Sequence, residues 1–400
     1  MANPQTDVVS RAGRKFAFQA YRGLEGLERL APEWAVLLKT IPDPRFNQFP
    51  EWYRAYLSTL VSDDSGVWFV AAYRGGNLAA ICPLQFQDYR VGLFRPRILG
   101  TIEDGQMQLS DFVFAATSEN QALLYELTQW LRAEHFAPWD ELRLRKVSEE
   151  SSLFHAARAR LPRATVELRH DGSAFFHTTS TYQQATQAVT AKFKSNLRRR
   201  NRIAEQSAAL SHRTYRWGIE LGEAFELFLE IEASGWKGAS ASAIRCQPAL
   251  LSFYRTLLRE FTARDACIIS LLWHGDRPVA GQFGLQIGRT INILKVGFSE
   301  AHANFAPGVL LLERMIRQSC DDPGIDVLHL VNEPEWSRSF RPVSTGVWSF
   351  CAPNWTVRGI LIHLCLLAKR TWEDRGAPPR TPDRGSTMSW QAESNQKYVK

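Results

Sequence analysis

Apolar positions along this chain change period several times, and each change marks an element. From Trp34 to Leu60, aromatic and aliphatic residues recur at helical spacing. Val67–Tyr73 and Leu78–Phe86 are apolar runs around Arg74-Gly75-Gly76-Asn77, which predicts a β-hairpin. Residues 89–110 show no clear period. Asp111–Phe114 is a short strand candidate, Gln121–Glu134 an amphipathic helix and Glu141–Val147 an alternating strand. The character changes around residues 163–186. A strongly basic helix follows over Thr186–Ala209, then helices at Glu223–Glu232 and Pro248–Ala263. Three antiparallel strands are expected next, at Cys267–Trp273, Pro278–Ile287 and Thr290–Phe298. A helix from Pro307 to Cys320 and a strand at Ile325–Val331 complete the pattern.

One segment repeats. Tyr73-Arg-Gly-Gly-Asn-Leu-Ala-Ala80 and Trp273-His-Gly-Asp-Arg-Pro-Val-Ala280 share the form aromatic–x–Gly–x–x–x–x–Ala, each between two apolar strands. Hairpins resemble one another, so this alone is weak. Helix–hairpin–helix–strand order recurs around both copies, however, which favours a duplicated α/β unit. Residues 1–15 and 373–400 are polar or rich in Pro, Arg and Ser, and are expected to be disordered. The two units are placed at 16–170 and 171–372.

Composition narrows the class. The 400 residues are 45% hydrophobic and 22% charged, which suits two globular domains and excludes a wholly disordered chain. The formal net charge of +7 favours anionic ligands and leaves nucleic acid, a membrane surface and a phosphorylated cofactor open. The six cysteines form no CxxC pair and read as buried thiols in a reducing compartment. The N-terminus has no apolar signal region, and the run at 359–368 is too short to span a bilayer. A cytoplasmic protein is the expectation.

Three constellations bear chemistry. In the first, the strand Thr290–Phe298 leads through Ala306-Pro307-Gly308 into a helix. Pro suits a first helical turn, and the helix start presents N–H groups and a favourable dipole to a phosphate. A well-started helix with no ligand explains the same residues, and is the commoner case for this feature in isolation. In the second, Lys192, Lys194, Arg198, Arg199, Arg200 and Arg202 crowd one helix, while Val189, Phe193, Leu197, Ala204 and Ala208 form an apolar seam. A solvated charged face explains this best; a polyanion site is the functional alternative. No nucleic-acid motif accompanies the run, so specific nucleic-acid binding is not expected. In the third, Glu232 ends a helix before Gly235-Trp236-Lys237-Gly238. Glu232 is a candidate base, with an exposed helix carboxylate as the plain alternative. Asp111 is a second candidate carboxylate; its plain reading is a turn residue before a strand. No HExxH, Cys/His metal spacing, GxSxG or P-loop occurs, so no metal is expected.

The blocks Lys192-Phe-Lys-Ser-Asn-Leu-Arg-Arg-Arg200, Gly235-Trp-Lys-Gly238, Pro278-Val-Ala-Gly-Gln282, Lys295-Val-Gly-Phe298 and Ala306-Pro-Gly308 lie in an order that resembles the GNAT acyltransferases. The likeness is to the CelD/BcsL-type, cellulose-biosynthesis-associated acetyltransferases, over about residues 185–345 and more weakly over 45–165. It implies an α/β fold of two tandem GNAT-like domains with mixed, mostly antiparallel sheets, arranged as in Fem-type transferases. It implies acyl-CoA, most simply acetyl-CoA, held by Lys295, Val296, Gly297, Ala306, Gly308, Val309 and Leu310. It implies Glu232 or Asp111 as base, and Trp236, Lys237, Trp336 and Arg338 at the acceptor. The family commonly has an aromatic–Lys pair where this chain reads Trp336-Ser337-Arg338, so that lysine is absent here.

The expected function is acyl transfer to an amine or hydroxyl, with a small-molecule or polysaccharide acceptor in envelope biosynthesis and peripheral association with envelope machinery. An aminoacyl-tRNA-dependent Fem-like transferase and a catalytically degenerate scaffold are the alternatives.

Overall fold

A computed structural model describes residues 14–90, 94–116, 119–133, 136–161, 165–235, 238 and 240–376. Thirteen strands form one sheet, in the order β1-β2-β3-β4-β6-β13-β7-β12-β11-β10-β9-β8, with β5 paired to β3. The strands are β1 (Ala17–Arg22), β2 (Val67–Arg74), β3 (Asn77–Gln87), β4 (Ile98–Thr101), β5 (Val113–Phe114), β6 (Glu141–Ser148) and β7 (Val166–His177). They continue as β8 (Leu210–Tyr215), β9 (Cys267–His274), β10 (Arg277–Ile287), β11 (Thr290–Phe298), β12 (Val327–His329) and β13 (Val343–Pro353).

The helices are α1 (Gly23–Leu38), α2 (Pro50–Thr59), α3 (Asn120–Arg132), α4 (Ser152–Arg160), α5 (Tyr182–Ala185) and α6 (Ala191–Glu205). They end with α7 (Gly218–Ala233), α8 (Pro248–Thr262), α9 (Pro307–Asp321) and α10 (Val357–Gly376).

The sheet is two similar halves. β1-β2-β3-β4 followed by parallel β6 matches β8-β9-β10-β11 followed by parallel β12. The repeated hairpins agree in register. Arg74 faces Asn77 and His274 faces Arg277; a one-residue bulge then skips Ala79 in one and Val279 in the other. Each half is completed by a strand from the other part of the chain. β13, last in sequence, pairs with β6 of the first half. β7, which precedes the second half, pairs with β12. The two exchanged strands pair antiparallel with each other at the centre. The division expected at 170/171 falls within β7.

The core is layered. α1, α2, α7 and α8 cover one face and share a single apolar cluster that runs through both halves, including Trp34, Trp52, Phe253 and Phe261. Inter-half contacts are specific. Phe49 meets Phe261 edge-on, Trp52 meets Phe253 at 5.5 Å, Arg54 pairs with Glu260 at 2.9 Å and Arg264 with Glu51 at 2.6 Å. On the other face, α3 and α4 cover the first half, while α6 and α9 cover the second.

Several sequence expectations are corrected here. The helical pattern over 34–60 is two helices, α1 and α2, because the Pro42-Asp43-Pro44 segment between them cannot continue a helix. The period-free segment 89–110 holds β4, buried on both sides, where alternation has no reason to appear. The strands β1, β7, β8 and β13 had no clear signal in the sequence. Of the cysteines, Cys246 and Cys365 are exposed rather than buried. The tail expected from 373 overlaps α10, which runs to Gly376.

Candidate active site

The site begins with β11. Its antiparallel partner β10 runs alongside it, with a bulge that skips Leu294 between Phe283↔Lys295 and Gly284↔Ile293. Its parallel partner β12 pairs only with Thr290–Asn292. β12 ends at His329, so the pairing stops at Asn292, and Lys295, Val296 and Gly297 lie on the stretch of β11 beyond it. Lys295 reaches over the Tyr254 ring at 5.8 Å, while Val296 packs toward α9.

Gly297 is glycine for a steric reason. A Cβ there would sit 2.7 Å from the Cα of Glu232, so α7 approaches β11 backbone to backbone. That approach brings Glu232 to β11. The plain reading of Glu232 as an exposed carboxylate is overturned: the residue is 4% exposed, and one oxygen accepts the Ile244 N–H at 2.9 Å. Tyr254 stands beside it, its hydroxyl held well above the usual range by burial and then by the Glu232 charge. The Tyr254 hydroxyl donates to Gln106 Oε1 at 2.8 Å, so the first half reaches into the second here.

The start of α9 follows β11 through residues 299–306, and the helix packs against that strand. Ala306 takes a left-handed conformation with φ of 51°, rare for a residue with a Cβ. Its carbonyl accepts the N–H groups of Val309 and Leu310 at 3.0 and 3.2 Å. Pro307 has no N–H, so the amide of Gly308 is the first-turn donor best placed for an anion. The side chains of Val309 and Leu310 are buried in the core and their N–H groups are engaged by Ala306, so the expected cofactor contacts of these two residues are corrected to structural ones. A Cβ on Gly308 would meet the Phe298 side chain at ordinary contact distance, so the fold itself does not demand glycine there.

The sequence reading missed Tyr254, Gln106 and Gln282 as candidate site residues. Gln282 lies opposite Val296 on the α9 side of β10, and its buried Oε1 has no hydrogen-bond partner among the described residues. A buried acceptor left unpaired at this position fits a ligand amide. No local motif marks these residues; only the sheet register and the packing of the two halves bring them to β11.

The basic helix α6 packs beside residues 300–305, which lead into α9. Its helical span is Ala191–Glu205, with Leu197 and Ala204 buried and Phe193 half-buried. Ala208 lies past its end. Asn201 Oδ1 accepts from Arg314 of α9 at 2.9 Å. Lys192, Lys194, Arg198, Arg199, Arg200 and Arg202 have no acidic partner among the described residues. Burial and the neighbouring Arg199 lower the pKa of the Arg200 guanidinium.

Asp111 is built into the first half. It is 5% exposed; Phe112 N–H donates to one oxygen at 2.9 Å and Gln48 Nε2 to the other at 3.3 Å. Burial raises its pKa to about 6, against the opposing charge of Arg45. The plain turn-residue reading therefore falls short, although none of these partners lies on β11. Arg45 also faces His329 at the end of β12, where burial and that charge depress the imidazole to about 3. Val331 N–H donates to His329 Nδ1, so the ring proton sits on Nε2, beside Ser173 Oγ at 3.1 Å.

Trp336 packs at the margin of the α9 core. Arg338 pairs with Glu333 at 3.5 Å and Glu335 at 3.7 Å, so its charge is already engaged. Trp236 and Lys237 lie outside the described residues. Among the described residues no group of His, Cys, Asp and Glu is arranged to hold a metal.

A family model described as an acetyltransferase (GNAT) domain matches residues 191–335. No curated protein matches the chain. Among solved structures, the chain is similar to the crystal structure of FemX, at 9% identity and a TM-score of 0.53, over 83% of this chain and 98% of that one. It is also similar to L-PGS from Bacillus licheniformis, at 11% identity and 0.48, over 84% and 96%. A tandem GNAT protein from the clavulanic acid biosynthesis pathway aligns at 11% identity and 0.42, over 84% and 98%. The chain has a mixed α/β fold of tandem GNAT-like halves, and its second half carries the match to the acetyltransferase domain.

Proposed function

We propose that the second half binds acyl-CoA, most simply acetyl-CoA, and transfers the acyl group to an amine or hydroxyl acceptor. The observation that carries this reading is the stretch of β11 beyond its β12 partner, followed by the left-handed Ala306 and the Gly308 amide at the start of α9. The chemistry is direct. The acceptor attacks the thioester carbonyl, a C–N or C–O bond forms, the C–S bond breaks, and the CoA sulfur leaves as thiol once protonated. Glu232, against Gly297, is the base for the acceptor proton in this reading; Asp111, on the first-half side, is the alternative. The backbone along Lys295–Gly297 positions the thioester, and preorganised N–H donors of this kind stabilise a developing oxyanion. Trp336 and Arg338 border the acceptor end in this reading. A polysaccharide or other envelope acceptor rests on the sequence resemblance alone.

The test is calorimetry with acetyl-CoA, longer acyl-CoAs and free CoA. Gly308→Asp adds a negative charge at the anion-facing amide, and a Cβ there meets Phe298 only at ordinary contact distance, which lets the fold survive. It is expected to abolish CoA binding at an unchanged melting temperature. Unchanged CoA affinity in that variant would reject the site.

A second reading, a transferase that takes its donor from aminoacyl-tRNA, is favoured by one observation: the unpaired cations of α6 beside the start of α9. A degenerate scaffold is the third; acetyl-CoA titration separates it from the first reading and charged-tRNA titration from the second, since a scaffold has no need of a donor.

A further inference from the structure

The helix α10 is apolar on two sides: Leu366 is buried inward, and a second apolar face is turned out. Its inward side carries a polar contact: His363 Nδ1 lies 2.6 Å from the buried Glu141 carboxylate on β6. Its outward side is apolar. Val357, Ile360, Leu361 and Leu364 recur at helical spacing and are all exposed, Val357 to 79%. Trp355, just before the helix, is exposed as well. Phe94 extends the patch at 70% exposure, because Arg358 donates to the carbonyl of the adjacent Arg95. Scattered exposed apolar residues are ordinary, but a continuous outward face with aromatic ends marks an interaction surface.

The rim is cationic. Arg97 and Arg358 share the single buried carboxylate of Asp140, each at 3.0 Å. Arg95 is exposed and has no acidic partner among the described residues. Three guanidiniums over one carboxylate leave the rim net positive. That charge decides between occupants. A two-fold contact between copies of this chain would oppose this rim to itself. An anionic lipid surface complements both parts, with apolar side chains in the acyl boundary and guanidiniums at the headgroups. Among the described residues no helix is long and apolar enough to cross a membrane, so a bilayer contact of α10 would lie in the interface plane.

We propose that the outer face of α10, with Trp355 and Phe94, docks the protein on an anionic lipid bilayer.

The experiment is co-sedimentation of the full chain with vesicles of phosphatidylcholine alone or mixed with phosphatidylglycerol, at low and high salt. Binding is expected only to the anionic vesicles and is expected to weaken with salt. Leu361→Glu with Leu364→Glu should lower binding by about tenfold or more. Arg95→Glu should lower it by about fivefold. All three positions are exposed, so acetyl-CoA titration and melting temperature serve as folding controls, and Val357→Asp replaces the double variant should that fail to fold. No sedimentation of the wild type with anionic vesicles overturns the proposal. So does a concentration-dependent dimer in the ultracentrifuge that the same substitutions dissolve, since a second copy would then be the occupant.

Discussion

Asp111 shows what burial does to a single carboxyl group. In the folded chain its pKa is raised to about 6, so between about pH 4 and 6 the native state holds a proton that the unfolded chain has released. Stability from this group therefore falls as pH rises through that window, by a total on the order of 2–3 kcal/mol. Asp111→Asn should remove that slope in urea unfolding followed across pH; an unchanged slope would place the carboxyl in water. His329 acts in the opposite sense. Its depressed pKa means that stability is present above the ordinary histidine range and is lost as pH falls from about 6.5 toward 3. At the same scale, Glu232→Gln keeps the shape of the α7–β11 contact while removing the proton acceptor. It is expected to lower kcat by about a hundredfold or more with acetyl-CoA affinity intact. Undiminished turnover would move the base to Asp111.

Among elements, α6 and α9 were legible before the fold was known, each for a local reason. Pro307 opens α9 and the apolar seam defines α6. Only packing sets α6 against the lead-in to α9. Its six cations have no acidic partner among the described residues, and under the acyl-CoA proposal they meet its phosphates. Replacing Arg198, Arg199 and Arg200 with Ala should weaken acetyl-CoA binding by about fivefold, the scale of one exposed charge contact. The wild type should bind charged tRNA no more tightly than unrelated RNA in gel-shift titrations at two salt concentrations. A clear tRNA preference, steeply salt-dependent and lost in the triple variant, would promote the aminoacyl-tRNA reading.

In the whole molecule, the halves exchange strands. β13 finishes the first half and β7 the second, and one apolar layer of α1, α2, α7 and α8 spans both. Separate unfolding would expose that layer and unpair the two central strands. A single transition is therefore expected in calorimetry, with equal van't Hoff and calorimetric enthalpies. Phe261→Ala, at the contact with Phe49, should lower that one transition by about 3–5 kcal/mol. Two resolved transitions would show that the halves fold alone.

The sequence by itself determined the hairpins, the basic helix, the Pro-Gly start of α9 and the repeat, because each rests on a spacing of neighbours: period two, period 3.6, or turn chemistry over four residues. It also marked Glu232 and Asp111 as candidate bases. Only the tertiary structure decided that both are buried, that Gly297 lets α7 bring Glu232 onto β11, and that Tyr254, Gln106 and Gln282 lie beside the candidate site. The same is true of the exchanged strands and the outward leucines of α10, whose helix stands in a run that looked merely apolar. Strand partners far apart in sequence, and the side of an element that meets the core, depend on contacts across hundreds of residues, and those leave no periodic trace in the chain.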